Sequence, residues 1–146
     1  MKKNLKMTLL FCGLASFAFA QREYNPPTAV REAFQKEYPK STPSHWTRSS
    51  AGWSVEFDDK DFDNGESTAR FDSRGRHLET QIPYDEGDVP KEVKDHMKQH
   101  YPDADNYEYT RIDRPGEKPL YKAKFRHKKA YSTTYVDDRG EQRDYH

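Results

Sequence analysis

Two segments of identical length constrain this chain more than any other feature. "PTAVREAFQKEYP" from Pro27 to Pro39 aligns without a gap to "PKEVKDHMKQHYP" from Pro90 to Pro102. Val30 meets Val93, Phe34 meets Met97 and Tyr38 meets Tyr101. The spacing i, i+4, i+8 puts three apolar groups on one helical stripe. A proline opens each segment, where a missing N–H costs nothing. A second proline closes each, because proline excludes helix from the residue before it. The Tyr-Pro dipeptide therefore reads as a stop signal: the tyrosine packs the last turn and the proline turns the chain out.

The match resumes after a gap. "WSVEF" (Trp53 to Phe57) aligns with "YKAKF" (Tyr121 to Phe125), and "STARFDSRG" (Ser67 to Gly75) with "STTYVDDRG" (Ser132 to Gly140). Both stretches alternate with period 2. Each copy reads as one helix followed by four short strands. The strands fall near 44–49, 52–58, 66–72 and 76–82 in the first copy, and near 106–113, 119–127, 130–136 and 141–145 in the second. The expected fold class is α+β: two tandem helix-plus-antiparallel-meander repeats in two layers, with helices on one sheet face and the other face open. Repeat 1 spans 27–83, a joint 84–89 and repeat 2 90–146, the repeats forming one domain. "EQRDYH" at the end of repeat 2 lacks the apolar alternation of "HLETQI", as suits a charged edge strand.

Lys2, Lys3 and Lys6, an apolar run and Ala18-Phe19-Ala20 predict a signal peptide over 1–20, and hence a periplasmic or secreted protein. The apolar run is too short to span a bilayer, so no membrane insertion is expected after cleavage. Bulky Phe11 before Cys12 argues against a lipoprotein. Residues 21–26 read as a flexible arm. Cys12 is the sole cysteine, so disulfides are not expected to hold the fold. After residue 20, 22 basic and 25 acidic side chains remain, too balanced for a nucleic-acid binder. Leu, Ile, Val and Phe number only 14 of those 126 residues, but ten Tyr and two Trp accompany them. That is a thin aromatic core rather than a disordered chain.

Helix, Tyr-Pro, aromatic strand, aromatic-x-Val/Ala-x-Phe strand and then Phe/Val-Asp-x-x-Gly resembles the PepSY-like family, secreted proteins also likened to β-lactamase-inhibitor protein. The resemblance covers Pro27 onward. It implies helices on one face of an antiparallel sheet and a non-catalytic role alongside secreted peptidases, and it supplies no functional residue to carry over.

The residues show no catalytic apparatus. "DDKDFDNGE" (Asp58 to Glu66) places Asp59, Asp61 and Asp63 alternately, as a calcium loop does. Counted from Asp59, however, position 6 is Asn64 and position 12 is Arg70, where calcium needs Gly and Glu. Asn64-Gly65 reads instead as the turn of an acidic hairpin. His96 and His100 have the i, i+4 spacing of a metal pair but no third ligand, and "MKQ" between them lacks the protease glutamate. They suit boundary positions beside the helix stripe. No Ser/His/Asp constellation is visible. No metal or cofactor is expected, and no enzyme.

The informative stretch is "YKAKFRHKK". With Tyr121, Ala123 and Phe125 toward the helices, Lys122, Lys124 and Arg126 face outward. Tyr131, Thr133 and Tyr135 then alternate to the same face of the next strand. Cations beside exposed tyrosines are typical of interaction surfaces. In the first copy the equivalent positions are Ser54, Glu56 and Asp58. Residues 21–89 carry 9 bases and 14 acids, against 13 and 11 for 90–146. The expected function is a protein-interaction module that inhibits or regulates another envelope or secreted protein, such as a peptidase. The alternative is a binder of small anionic ligands or envelope polysaccharide through the same basic strand. The residues leave the oligomeric state open.

Overall fold

The computed structural model describes residues 25–58, 61 and 65–146. The expected leader, Cys12 and the arm up to residue 24 lie outside the described residues, as do Asp59, Asp63 and Asn64 of the acidic turn.

Helix α1 (Thr28–Glu37) and helix α2 (Lys91–His100) form where the proline brackets put them. The Pro27 carbonyl accepts from the Val30 and Arg31 amides at 3.0 and 3.1 Å, starting the helix. The Tyr38 amide still reaches the Phe34 carbonyl at 2.8 Å, after which Pro39 has no N–H to continue. The Ser41 amide closes the exit turn onto the Tyr38 carbonyl at 3.1 Å. Tyr101 and Ala104 repeat these two bonds at 2.8 and 3.0 Å.

The strands are β1 (Pro43–Ser49), β2 (Gly52–Asp58), β3 (Glu66–Phe71), β4 (His77–Tyr84), β5 (Asp105–Asp113), β6 (Leu120–His127) and β7 (Ala130–Asp137). All seven belong to one antiparallel sheet in chain order. This corrects the expectation of an α+β chain built as two tandem helix-plus-meander repeats. Among the described residues the protein is mostly sheet, and two short helices are additions to a single continuous layer. The joint at 84–89 does not separate one meander from another, because Thr80–Tyr84 pair directly with Tyr109–Asp113. Pairing there satisfies backbone groups that separate meanders would leave on exposed edges. The eighth strand expected near 141–145 shrinks to one bridge, Val136 to Gln142, after which the chain leaves the edge.

Register shows that both helices cover the same face. Val55 lies opposite Ala69, which lies opposite Thr80. Further along β4, at an even separation from Thr80, Tyr84 lies opposite Tyr109, which lies opposite Ala123. Residues at even separation share a face, so Val55 and Ala123 point the same way. Val30 and Phe34 of α1 pack there with Trp53, Val55, Phe57, Ala69 and Phe71. Val93 and Met97 of α2 pack with Tyr109, Tyr121, Ala123, Phe125 and Val136. Tyr38 and Tyr101 close these clusters at the helix ends.

Two glycines fix how the helices sit. Gly75 and Gly140 both have φ of +82°, and a Cβ there would lie 2.5 Å from the Ala29 carbonyl oxygen and 2.8 Å from that of Glu92. Each turn after an Asp thus presses on the first turn of a helix, where only glycine has both the room and the backbone freedom.

Candidate binding surface

The face turned away from the helices carries the residues singled out from the sequence. Lys122 pairs with Tyr135, Lys124 with Thr133 and Arg126 with Tyr131 across the β6–β7 hairpin. The five candidates Lys122, Lys124, Arg126, Tyr131 and Tyr135 are therefore brought onto one surface. Tyr131 is 61% exposed, and the Lys124 ammonium lies 5.2 Å from its ring centroid.

Sequence reasoning missed the acidic partners on β5. Lys124 Nζ reaches Glu108 Oε2 at 3.0 Å, and Arg126 clamps Asp105 with two hydrogen bonds of 2.8 and 2.7 Å. The Arg126 hydrogen bond holds the Asp105 carboxyl below its ordinary range. A bulge between Asp105 and Glu108, with Asn106 at φ of +53°, sets both acids opposite their cations. Alternation along β5 could have placed Glu108 outward, but not the bulge. The strip is thus a charge-paired surface with a tyrosine on top, rather than a bare row of cations.

The hairpin tip is strained. Lys128 and Lys129 form the two-residue loop between the paired His127 and Ala130, at φ of +49° and +67°. A two-residue hairpin loop with both φ positive normally takes Asn-Gly. Each ordinary side chain in this conformation costs about 1–2 kcal/mol. Replacing the tip by Asn-Gly (Lys128→Asn, Lys129→Gly) is expected to stabilise the protein by about 1–2 kcal/mol, read as a raised urea midpoint with unchanged m. An unchanged or lowered midpoint would show that the tip carries no such strain.

Tyr135, the fifth candidate, is covered. Tyr145 stacks on it with centroids 4.6 Å apart and planes within 5°. Tyr145 belongs to a second group missed from the sequence. Its hydroxyl donates to Glu79 Oε1 at 2.8 Å, and Arg114 Nε donates to Glu79 Oε2 at 2.9 Å. Gln81 Nε2 adds a bond of 2.7 Å to the same carboxylate, and Arg70 lies 3.7 Å away. Glu79 is only 3% exposed although it faces away from the helices.

Of the histidine pair, His96 is built into the packing. His96 is buried, and its Nδ1 donates to the Gly140 carbonyl at 2.9 Å, tying α2 to the turn after β7. Burial pushes the His96 imidazolium pKa down, and neighbouring His100, 4.3 Å away ring to ring, pushes the same way. Among the described residues no three His, Cys, Asp or Glu side chains gather as metal ligands. A cleft of about 450 Å³ on the helix side is lined by Tyr38, His77, Thr80 and Ile82. The Tyr38 hydroxyl, the Thr80 hydroxyl and the His77 ring already bond to one another there. No helix among the described residues is long and apolar enough to cross a membrane.

A single antiparallel sheet with helices on one face and a polar, tyrosine-bearing surface on the other defines a class of sheet-faced modules. Within that class this chain belongs to the PepSY-like family, described as beta-lactamase-inhibitor-like, whose model matches residues 53–138. No curated protein matches the chain. Among solved structures, a BLIP-like protein of Bacteroides fragilis is 16% identical, with a TM-score of 0.72 over 83% of this chain and 85% of its own. A DUF2874 family protein of Bacteroides uniformis is 17% identical, with a TM-score of 0.72 over 80% of this chain and 85% of that one. A protein of Bacteroides eggerthii described as a candidate periplasmic protein is 18% identical, with a TM-score of 0.72 and coverage of 82% and 86%. At these identities the three share its fold.

Proposed function

We propose that the protein is a non-catalytic periplasmic or secreted module that binds, and thereby inhibits or regulates, another envelope protein such as a peptidase. The contact surface is the outward face of the β6–β7 hairpin, with Tyr131 as its anchor beside the turn. The observation that carries this reading is the exposed Tyr131 ring held beside two cations, Lys124 and Arg126, that β5 carboxylates already fix in place. An aromatic anchor ringed by preorganised charge favours a protein partner, because less side-chain freedom remains to be lost on binding. The same carboxylates neutralise the strip and so argue against the polyanion alternative. Strain at Lys128 and Lys129 adds support, since strained backbone gathers where a surface is kept for contact rather than stability. The family description, beta-lactamase-inhibitor-like, points to the same kind of role.

The test is affinity capture of partners from the native envelope with wild type, Tyr131→Ala and Glu56→Lys as baits. Tyr131→Ala is expected to lose the specific partner while leaving stability within about 0.5 kcal/mol, as exposed substitutions do. Glu56→Lys, on the outward face of β2, is expected to keep it. Equal capture by all three baits removes the hairpin as the contact surface.

A further inference from the structure

The outward face already holds an extended segment of the chain itself. The Val136–Gln142 bridge is made by two backbone bonds on the open edge of β7, the Arg143 amide to the Tyr135 carbonyl and the Asp137 amide to the Glu141 carbonyl, both at 2.9 Å. The chain then turns onto the face. There Tyr145 stacks on Tyr135, and its hydroxyl reaches Glu79 of β4 at 2.8 Å. The Arg114 guanidinium lies 4.8 Å from the Tyr145 ring centroid, and its Nη2 donates to the His146 carbonyl at 3.2 Å. The segment is therefore held by Arg143 on the Asp137 carboxylate, at 2.8 and 2.6 Å, and by three recognition elements. These are an acceptor on a strand edge, a flat aromatic and cationic seat for a ring, and a buried carboxylate for a hydroxyl. Tyr145 alone of residues 141–146 is half-buried, and the other five are exposed. With Tyr145 and the surface Arg143–Asp137 pair as its side-chain anchors, the strap lifts without opening the core.

We propose that residues 141–146 are a built-in occupant of the docking face, and that the protein partner displaces them with an extended segment of its own carrying a tyrosine in the place of Tyr145. This rests on the reading of the outward face as the contact surface, and deepens it. The strap makes Tyr135 and the Glu79–Arg114 seat available only to a partner that reproduces its chemistry. Tyr131, Lys124 and Arg126 stay open beside it for first contact. Covalent attachment gives the strap an effective concentration of about millimolar, so a weak free peptide cannot compete until the anchor is weakened.

The probe is a fluorescein-labelled peptide, Glu-Gln-Arg-Asp-Tyr-His, titrated into the full chain by fluorescence anisotropy. Tyr145→Ala is expected to bind it at least tenfold more tightly than wild type, and not to bind the same peptide with alanine in place of tyrosine. Tyr145→Phe keeps the ring but not the hydroxyl, and is expected to fall between them. Hydrogen exchange on the unmodified protein is a second measurement that needs no variant. The Arg143 amide is expected to exchange at least tenfold faster than the amides of β6. A folded Tyr145→Ala chain that ignores the peptide, or an Arg143 amide as slow as β6, overturns the proposal. Because the probe is the strap's own sequence, the result stands apart from partner capture. Equal capture by all three baits with peptide binding intact indicts the choice of partner surface, and capture lost on Tyr131→Ala without any peptide binding indicts the strap.

Discussion

Replacing Phe125 with alanine is expected to destabilise the protein by about 3–5 kcal/mol, the range for a fully buried phenylalanine. The ring is 0% exposed and sits between the strand and the helix layer. Its centroid lies 4.6 Å from that of Tyr101 and 6.0 Å from that of Tyr107, and it shares a cluster with Val93 and Met97. Deleting it removes apolar burial and also leaves a hole that a rigid sheet on one side cannot collapse to fill. Phe34→Ala acts on α1 in the same way, since Phe34 is 2% exposed and its ring meets Tyr38, Trp46 and Phe57 at 5.2–5.7 Å. Among the described residues, neither cluster contains a leucine or an isoleucine that could repack the cavity. Domains of this size usually hold about 5–15 kcal/mol in total, so either change removes a large share. Urea unfolding followed by circular dichroism reads the loss. A shift below about 1 kcal/mol in both variants would mean that the aromatic clusters are not what anchors the helices.

The two clusters were legible from the sequence because their cause is local. Proline brackets set the helices over 28–37 and 91–100, within two residues of each bracket. Period-2 alternation named Trp53, Val55, Phe57, Tyr121, Ala123 and Phe125 as the inner row, and all six are buried there. It also turned Lys122, Lys124 and Arg126 outward. What alternation cannot report is which strands become neighbours across a gap. Whether β4 pairs with β5 depends on the backbone groups each leaves unpaired, and no side-chain pattern encodes that. The sequence therefore reads as a pair of meanders where one seven-stranded sheet forms.

The candidate surface was only half legible, for the same reason. Strand phase placed its five members, but their partners come from elsewhere. Asp105 and Glu108 lie 21 and 16 positions from Arg126 and Lys124, on either side of a bulge that resets the phase. Tyr145 and Glu79 are 66 positions apart. "EQRDYH" carries the charge of an edge strand, and the edge reading fails because one residue in it finds a better place. The Tyr145 ring gains Tyr135, and its hydroxyl gains a buried carboxylate, where an eighth strand would have left both in water.

That buried carboxylate governs the second large effect. Arg114→Ala is expected to cost about 2–3 kcal/mol at neutral pH. This is somewhat less than the roughly 3–5 kcal/mol of breaking a fully buried pair, because Arg114 is 23% exposed and Arg70 remains 3.7 Å from Glu79. The pH dependence gives the change its signature. Burial alone pushes the Glu79 carboxyl up, but hydrogen bonds from Gln81, Tyr145 and Arg114, with the Arg114 charge, outweigh it and hold the group below its ordinary value. A carboxyl depressed in the folded state contributes stability that is complete above its unfolded pKa and fades as pH falls through the folded one. Wild type should therefore lose this contribution only in acid, below the ordinary glutamate range of about 4.3. In Arg114→Ala the principal counter-charge is gone, desolvation takes over, and the folded pKa rises. Protonation then relieves the variant, so its deficit against wild type is expected to shrink as pH is lowered from 7 toward about 4. Paired denaturant titrations at several pH values measure this directly. A deficit that stays constant with pH would show that Arg114 acts by packing on Tyr145 alone, and that Glu79 is not the charge it neutralises.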